Sequence, residues 1–244
     1  MESLEILRPD WPVPAGVHAV MTTRLGGVSQ GPYASLNLAT HVGDDPASVA
    51  ENRGRLRESL RLPAEPTWLE QVHGIGVAVL PRRSAGPADA AVGFAKGVVC
   101  AVLVADCLPV VLASRAGDRA GIAHAGWRGL AAGVIEATVA ALDCEPGSIV
   151  AWLGPSIGPE SFEVGGEVRD AFLARDRGAA VAFRESREGR WLADLPALAR
   201  RRLAAAGVAD VHGGDLDTVS DPARFYSHRR DGTTGRMAAL AWLD

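Results

Sequence analysis

The sequence predicts an α/β to α+β protein, a layered sandwich of mixed β-sheets flanked by helices. Three observations carry that prediction. Short β-rich runs punctuated by Gly, Pro and Asp crowd the stretch between positions 76 and 153. Helical stripes are interspersed among hairpin-like strand pairs instead of alternating strictly with single strands. A chain of 244 residues with 48% hydrophobic content can bury a sizeable core. No linker, low-complexity tract or internal repeat divides it, so residues 1–244 read as one catalytic domain.

Taken in order, His18 to Thr22 reads as the first strand, and it opens into the polar loop Thr22-Thr23-Arg24-Leu25-Gly26-Gly27-Val28-Ser29. Asp45 as N-cap, Pro46 at the first helical position and Val49, Leu56 and Leu60 in phase predict a helix from Pro46 to Arg61. Gly76 to Leu80, Val98 to Ala105, Pro109 to Ser114, Ala120 to His124 and Ile149 to Leu153 are the next strands. Leu130, Val134, Ile135, Thr138 and Leu142 predict one helix over Arg128 to Leu142. A second, from Asp194 to Ala206, starts at a capping Asp and carries Leu195, Leu198 and Leu203.

Bulk properties exclude several function classes. A net charge of −4 and a pI near 5.9 argue against nucleic-acid binding, which needs a basic surface. Met1-Glu2-Ser3-Leu4-Glu5 lacks the basic and apolar regions of a secretory signal, and no apolar run is long enough to span a bilayer, so a cytoplasmic protein is expected. Three cysteines, Cys100, Cys107 and Cys144, do not make a disulfide framework. Each is core, ligand or nucleophile.

His73, Cys107 and His124 share a setting that favours chemistry. Cys107 ends the apolar run Val102-Leu103-Val104-Ala105-Asp106, and His124 ends Ala120-Gly121-Ile122-Ala123 before the small-residue turn Ala125-Gly126. His73 stands beside Gly74 at the start of a strand. Strand ends that open into glycine-containing turns display side chains from a rigid scaffold. Two imidazoles and a thiolate suit zinc and leave a fourth position for water, phosphate or substrate. The spacing is too wide for a local zinc knuckle and requires convergence in the fold. Two other readings use the same atoms: Cys107 as a nucleophile with His124 or His73 as its base, or all three as ordinary buried residues. Asp106 is adjacent on the strand and is expected to point to the opposite face.

Gly154-Pro155-Ser156-Ile157-Gly158 fits the G-x-S-x-G pattern of a nucleophile elbow, yet Pro155 and Pro159 suit an irregular loop better than the obligatory helix. Neither a zinc deaminase signature nor a P-loop or Rossmann fingerprint occurs. The dense segment from Phe225 to Arg236 contains Arg229 and Arg230 before an Asp-Gly turn, where planar guanidinium forks could clamp a phosphate or a solvated hairpin could simply turn. Arg24 and Asn37 of the N-terminal loops are candidate anion or sugar contacts.

Together these segments resemble the YfiH-type family, long labelled a laccase domain or multicopper polyphenol oxidoreductase and also known as purine nucleoside phosphorylases. The likeness covers Thr22-Thr23-Arg24, Ser35-Leu36-Asn37-Leu38, Gln71-Val72-His73-Gly74, Asp89-Ala90, Ala105-Asp106-Cys107, His124-Ala125-Gly126-Trp127-Arg128-Gly129, Gly154 to Pro159 and the final F-Y-S-H-R-R-D-G-T-T-G-R-M-A. It implies a four-layer arrangement and a metal held by His73, Cys107 and His124, with zinc as the cofactor and copper the alternative. It further implies phosphorolysis of adenosine, inosine and methylthioadenosine, and deamination of adenosine, with purine nucleoside and phosphate as the small-molecule partners. Arg24, Asn37, Arg229 and Arg230 are then the substrate contacts. Glu160-Ser161 and Asp217-Thr218 stand where the family often has cysteines, which weakens a copper-oxidase reading. A cysteine- or metal-dependent hydrolase of an amide or nucleotide-sugar conjugate is the competing enzyme class.

Overall fold

Residues 4–81 and 86–244 are described by a computed structural model; Met1, Glu2 and Ser3 of the leader-free N-terminus expected above lie outside them. In chain order the strands begin with β1 (Ile6–Leu7), β2 (Val17–Thr22), β3 (Thr67–Trp68), β4 (Val77–Leu80), β5 (Ala90–Gly93), β6 (Val99–Val104) and β7 (Leu108–Ser114). They continue with β8 (Ala120–Ala125), β9 (Ile149–Leu153), β10 (Glu163–Gly165), β11 (Phe183–Arg187), β12 (Arg190–Ala193), β13 (Asp210–Gly213) and β14 (Met237–Leu243). One sheet runs β1-β2-β14-β6-β3, antiparallel except for the β3/β6 edge. The second runs β13-β9-β7-β8-β5-β4, antiparallel in its middle and parallel at both edges. A small antiparallel sheet, β10-β12-β11, stands apart from both.

Strand periodicity sorts the core into layers. Along β6, Val99, Ala101 and Leu103 pack with Leu36, Leu38 and Leu56, while Cys100, Val102 and Val104 pack with Val111, Ile122 and Trp152 of the second sheet. Along β7, Leu108, Val110 and Leu112 face away from the first sheet and join Leu130, Ile135 and Leu203. The order is therefore helix, sheet, sheet, helix. Because both large sheets are covered on both faces, β6, β7, β8 and β14 are apolar along most of their length instead of alternating.

The outer helices are α1 (Pro46–Leu60) on the first sheet and α2 (Trp127–Ala132), α3 (Val134–Ala141), α4 (Gly166–Leu173) and α5 (Leu195–Ala205) on the side of the second; α6 (His228–Asp231) is one turn near the C-terminus. Asp45 caps α1 by accepting from Ser48 N, and Arg61, expected inside the helix, instead ends it in the left-handed conformation at φ 50°. Asp194 caps α5 by accepting from Ala197 N. The single helix expected over Arg128 to Leu142 is two helices. Gly133, at φ 112°, breaks it, a conformation that the unbroken apolar phase of the sequence hides. Among the described residues no helix is long and apolar enough to cross a membrane.

One connection matters most for the site. β6 belongs to the first sheet and β7 to the second, so Ala105-Asp106-Cys107 carries the chain across the seam between them. Asp106 makes the turn at φ 85°, and its carboxylate accepts from Thr218 Oγ1 at 2.6 Å and from Arg229 N at 2.7 Å. Cys107 therefore emerges where the two sheets meet.

Candidate metal centre

Three chain segments converge at that seam. His73 lies in the turn between β3 and β4, Cys107 in the crossover, and His124 in β8, where only 4% of it is exposed. Their ligand atoms lie within 4.8 Å of one another, and among the described residues this is the group of His, Cys and carboxylate side chains placed to hold a metal ion. His73 Nε2 and Cys107 Sγ are 3.8 Å apart. A tetrahedral ion with ordinary zinc–sulfur and zinc–nitrogen bonds would set them at about 3.6 Å, so the donor set fits with little movement. The two imidazoles meet edge to face with centroids 4.8 Å apart, so they do not stack across the space between them.

Asp89, at the entrance to β5, organises two of the three ligands. Its carboxylate accepts from Val72 N at 3.1 Å, His73 N at 2.9 Å, Gly74 N at 2.6 Å and His124 Nδ1 at 2.8 Å. A carboxylate can only accept from this set, so His124 carries its proton on Nδ1 and presents Nε2 as the ligand nitrogen. The same oxygens hold the turn that keeps His73 at φ 59°, in the left-handed region that non-glycine residues adopt uncommonly. Burial alone would raise the Asp89 pKa, but the His124 and backbone hydrogen bonds overcome it and hold the carboxyl below its ordinary value. Gln71 secures the other side of the turn: its Nε2 donates to Leu103 O at 2.9 Å and its Oε1 accepts from Leu103 N at 2.8 Å.

Glycine is required beside the ligands. A Cβ on Gly126 would sit 2.9 Å from His73 Cδ2 and 3.0 Å from Cys107 Sγ, and one on Gly129 would sit 2.9 Å from Gly74 O. The start of α2 can approach the His73 turn only because both residues lack side chains. Electrostatics at Cys107 favour the thiolate that a metal would bind, whereas a metal would have to displace a proton from His124 Nε2. Burial disfavours a thiolate at Cys107, yet the imidazoles of His124 and His73 bring its pKa down to about 6. Burial likewise disfavours a charged His124, but Cys107 and Asp89 raise it to about 9. Cys100, without such neighbours, is pushed up by burial to about 12 and is an inert core thiol.

A cavity of about 350 Å³ opens over the triad. Its apolar wall is Leu103, Val104 and Ala105, and its polar lining adds His41, Gln71, Arg128, His228 and Arg236 to the three ligands. None of the four expected substrate contacts is among the residues that line this cavity. Arg24 donates to Ala34 O and Pro222 O and stacks on Tyr226, while Asn37 is fully buried and bonded to Ala39, Asp44 and Arg236 N. Arg229 donates to Glu163 O over the Phe162 ring; Arg230 donates to Thr218 O, Val219 O and Phe225 O and pairs with Asp231. Ser156 is buried in a loop with no helix behind it, unlike an elbow nucleophile.

Asp89, Gln71, His41, Arg128 and Arg236 lie outside the site as read from sequence. Arg236 closes the dense C-terminal segment, and Gln71 stands two residues before a ligand; those were the available signals. Asp89, an acid between two alanines, had only its place in the Asp89-Ala90 segment of the family resemblance, which assigned it no role.

The arrangement defines a class of protein: a double mixed-sheet sandwich that presents a His-Cys-His centre at the seam between its sheets. Residues 18–244 match the family model described as multi-copper polyphenol oxidoreductase laccase, and the chain belongs to that family. It is 55% identical over 238 residues to a Pseudomonas aeruginosa protein named purine nucleoside phosphorylase, covering 97% of this chain and 98% of that one. It is 52% identical over 241 residues to the Escherichia coli protein named purine nucleoside phosphorylase YfiH, covering 98% and 99%. Among solved structures, a Neisseria meningitidis protein superposes with a TM-score of 0.93 at 49% identity over 98% of this chain and 99% of that one. YlmD from Geobacillus stearothermophilus superposes at 0.92 with 34% identity, covering 100% and 97%.

Proposed function

We propose that this protein is a zinc-dependent purine nucleoside phosphorylase acting on adenosine, inosine and methylthioadenosine, with adenosine deaminase activity at the same centre. The observation that carries this reading is a three-ligand His-Cys-His set that opens onto a cavity large enough for a small molecule and walled by basic side chains. The names of relatives at about half identity over the whole chain supply the substrate class. His73, Cys107 and His124 would hold the ion, which when bound supplies a Lewis-acid charge and an open coordination position.

The chain's own residues do the rest. Asp89 keeps the His124 proton on Nδ1, so that Nε2 stays a lone-pair donor toward the ion. Leu103, Val104 and Ala105 give the base or sugar an apolar surface and exclude water from one side. Arg128 and Arg236 offer cationic donors where charge accumulates as the glycosidic bond breaks. In phosphorolysis a phosphate oxygen bonds to ribose C1′, the C1′–N9 bond breaks, and its electron pair leaves with the base, which takes up a proton. A cytoplasmic setting belongs to this reading and is supported by three unpaired cysteines. Copper oxidase chemistry is the least favoured use of the centre, because a multicopper enzyme needs more ligands than the one three-residue group found among the described residues.

One observation favours a second reading. Cys107, His124 and Asp89 also have the form of a nucleophile, a base and an orienting carboxylate, as a cysteine hydrolase of an amide or nucleotide-sugar conjugate would need. Adenosine incubated with phosphate separates the two: ribose 1-phosphate and adenine, with inosine as a side product, support phosphorolysis and deamination. Turnover by rigorously metal-free protein, abolished stoichiometrically by thiol alkylation, would establish the hydrolase instead.

A further inference from the structure

Two arginines, Arg128 and Arg236, line the cavity. Arg24 commits Nε and Nη1 to backbone carbonyls and Arg230 commits all three guanidinium nitrogens, while Arg229 donates through Nη1 alone, to Ser161 O and Glu163 O, and does not line the cavity. Arg128 has no hydrogen bond or ion pair from its side chain among the described residues and only stacks on Trp127. Arg236 is largely buried and makes no ion pair with a carboxylate among the described residues; its Nη1 donates to Thr234 O and Gly235 O, and its Nε and Nη2 have no hydrogen-bond partner there. His41 lies against the same void with no hydrogen bond among the described residues, and burial together with the charges of Arg236 and Arg53 keeps it neutral to lower pH than usual. Among the described residues no carboxylate lines this cavity. Burial holds the Arg236 pKa below its usual value, although Cys107, Asp106 and Tyr33 act in the opposite direction.

We infer that Arg236, Arg128 and His41 form a subsite for a phosphate oxyanion beside the metal centre. The assignment rests on the phosphorolysis reading for its role, since it would place the attacking phosphate next to the ion. Its physical basis is independent of that reading: the exposed Arg128 and His41 and the largely buried Arg236, all with spare donors, line one open cavity, in a chain whose net charge is −4. Arg236 supplies the planar fork that matches two phosphate oxygens, Arg128 a second charge held by Trp127, and His41 a donor that gains a proton as the anion arrives. The same chemistry would receive inorganic phosphate or the phosphate group of a nucleotide.

The experiment is calorimetric titration of inorganic phosphate, and separately of AMP, into zinc-loaded wild type, Arg236→Met, Arg236→Lys and Arg128→Met. Zinc content and thermal midpoint are measured for each. Wild type is expected to bind phosphate saturably. Arg236→Met should weaken it about 10–100-fold, the size of a lost charged bidentate contact, with Arg236→Lys between the two. Competition between AMP and inorganic phosphate would identify the nucleotide's phosphate as an occupant, whereas phosphate binding without AMP binding would identify the free ion. Phosphate affinity within twofold of wild type in both Met variants at full zinc content, or no phosphate or AMP binding to wild type, would overturn the subsite. Phosphate binding that depends on Arg236 in an enzyme with no phosphate-dependent turnover of nucleosides would keep the subsite and sink the phosphorylase.

Discussion

Replacing Asp89 by Asn removes a charge and almost nothing else, yet it should loosen two metal ligands at once. Oδ1 accepts from His73 N and His124 Nδ1, and Oδ2 from Val72 N and Gly74 N. Whichever way the Asn amide lies, its NH₂ group faces two donors, so two hydrogen bonds are lost and two donor–donor contacts made. Hydrogen bonds to a charged acceptor contribute about 1.5–3 kcal/mol each, which gives a loss of about 3 kcal/mol or more before relaxation. In a chain of this size that is a fall in melting temperature of about 6–12 °C for the metal-free protein. The tautomer lock on His124 goes too, and zinc affinity should fall about 10–100-fold. Competition against a chromophoric chelator reads the affinity, and a thermal scan of the metal-free protein reads the stability. Zinc affinity within twofold of wild type together with an unchanged midpoint would refute the idea that Asp89 organises the centre.

Other perturbations act on the same geometry. Gly126→Ala should cost zinc affinity about tenfold or more, because the new methyl group lands within 3.0 Å of Cys107 Sγ; metal content after dialysis against weak chelator reads it. Gln71→Ala loses both bonds to Leu103 and should destabilise by about 1–3 kcal/mol in denaturant unfolding, with a smaller effect on zinc than Asp89→Asn. In metal-free protein, alkylation of Cys107 by iodoacetamide should persist down to about pH 6, and substitution of His124 by Gln should move the midpoint up toward an ordinary thiol. Asp89 has a depressed folded pKa, so it adds stability above its unfolded value of about 3.9 that is lost as pH falls through the lower folded value. Metal-free wild type should therefore lose more stability than Asp89→Asn on acidification below about pH 4, as followed by circular dichroism.

The group that could hold a metal was legible in the sequence because two histidines and a cysteine stand in segments that carry the family resemblance, Q-V-H-G, A-D-C and H-A-G-W. The helix α1 was legible because Asp45-Pro46 states its start in local chemistry. What escaped was set by contacts distant in sequence. Asp89 acts by meeting residues 72–74 and 124, and nothing next to it in the chain announces that. β14 is a run of seven buried residues whose two faces belong to different cores, so the alternation that marks a half-exposed strand is absent. The β10-β12-β11 sheet escaped for the opposite reason: β11 is mostly exposed and charged, and reads as loop. The arginines pose a sharper version of the problem. Sequence cannot distinguish a guanidinium committed to carbonyls, as in Arg230, from one with donors to spare, as in Arg236.

The proposed phosphorylase activity requires a metal ion at His73, Cys107 and His124. The direct measurement is zinc content and adenine release from adenosine, with and without phosphate, in wild type, Cys107→Ala and His124→Ala. About one equivalent of zinc in wild type, adenine release that requires phosphate, and loss of both in each variant is the predicted result. Adenine release that survives in Cys107→Ala after the zinc is gone would contradict it.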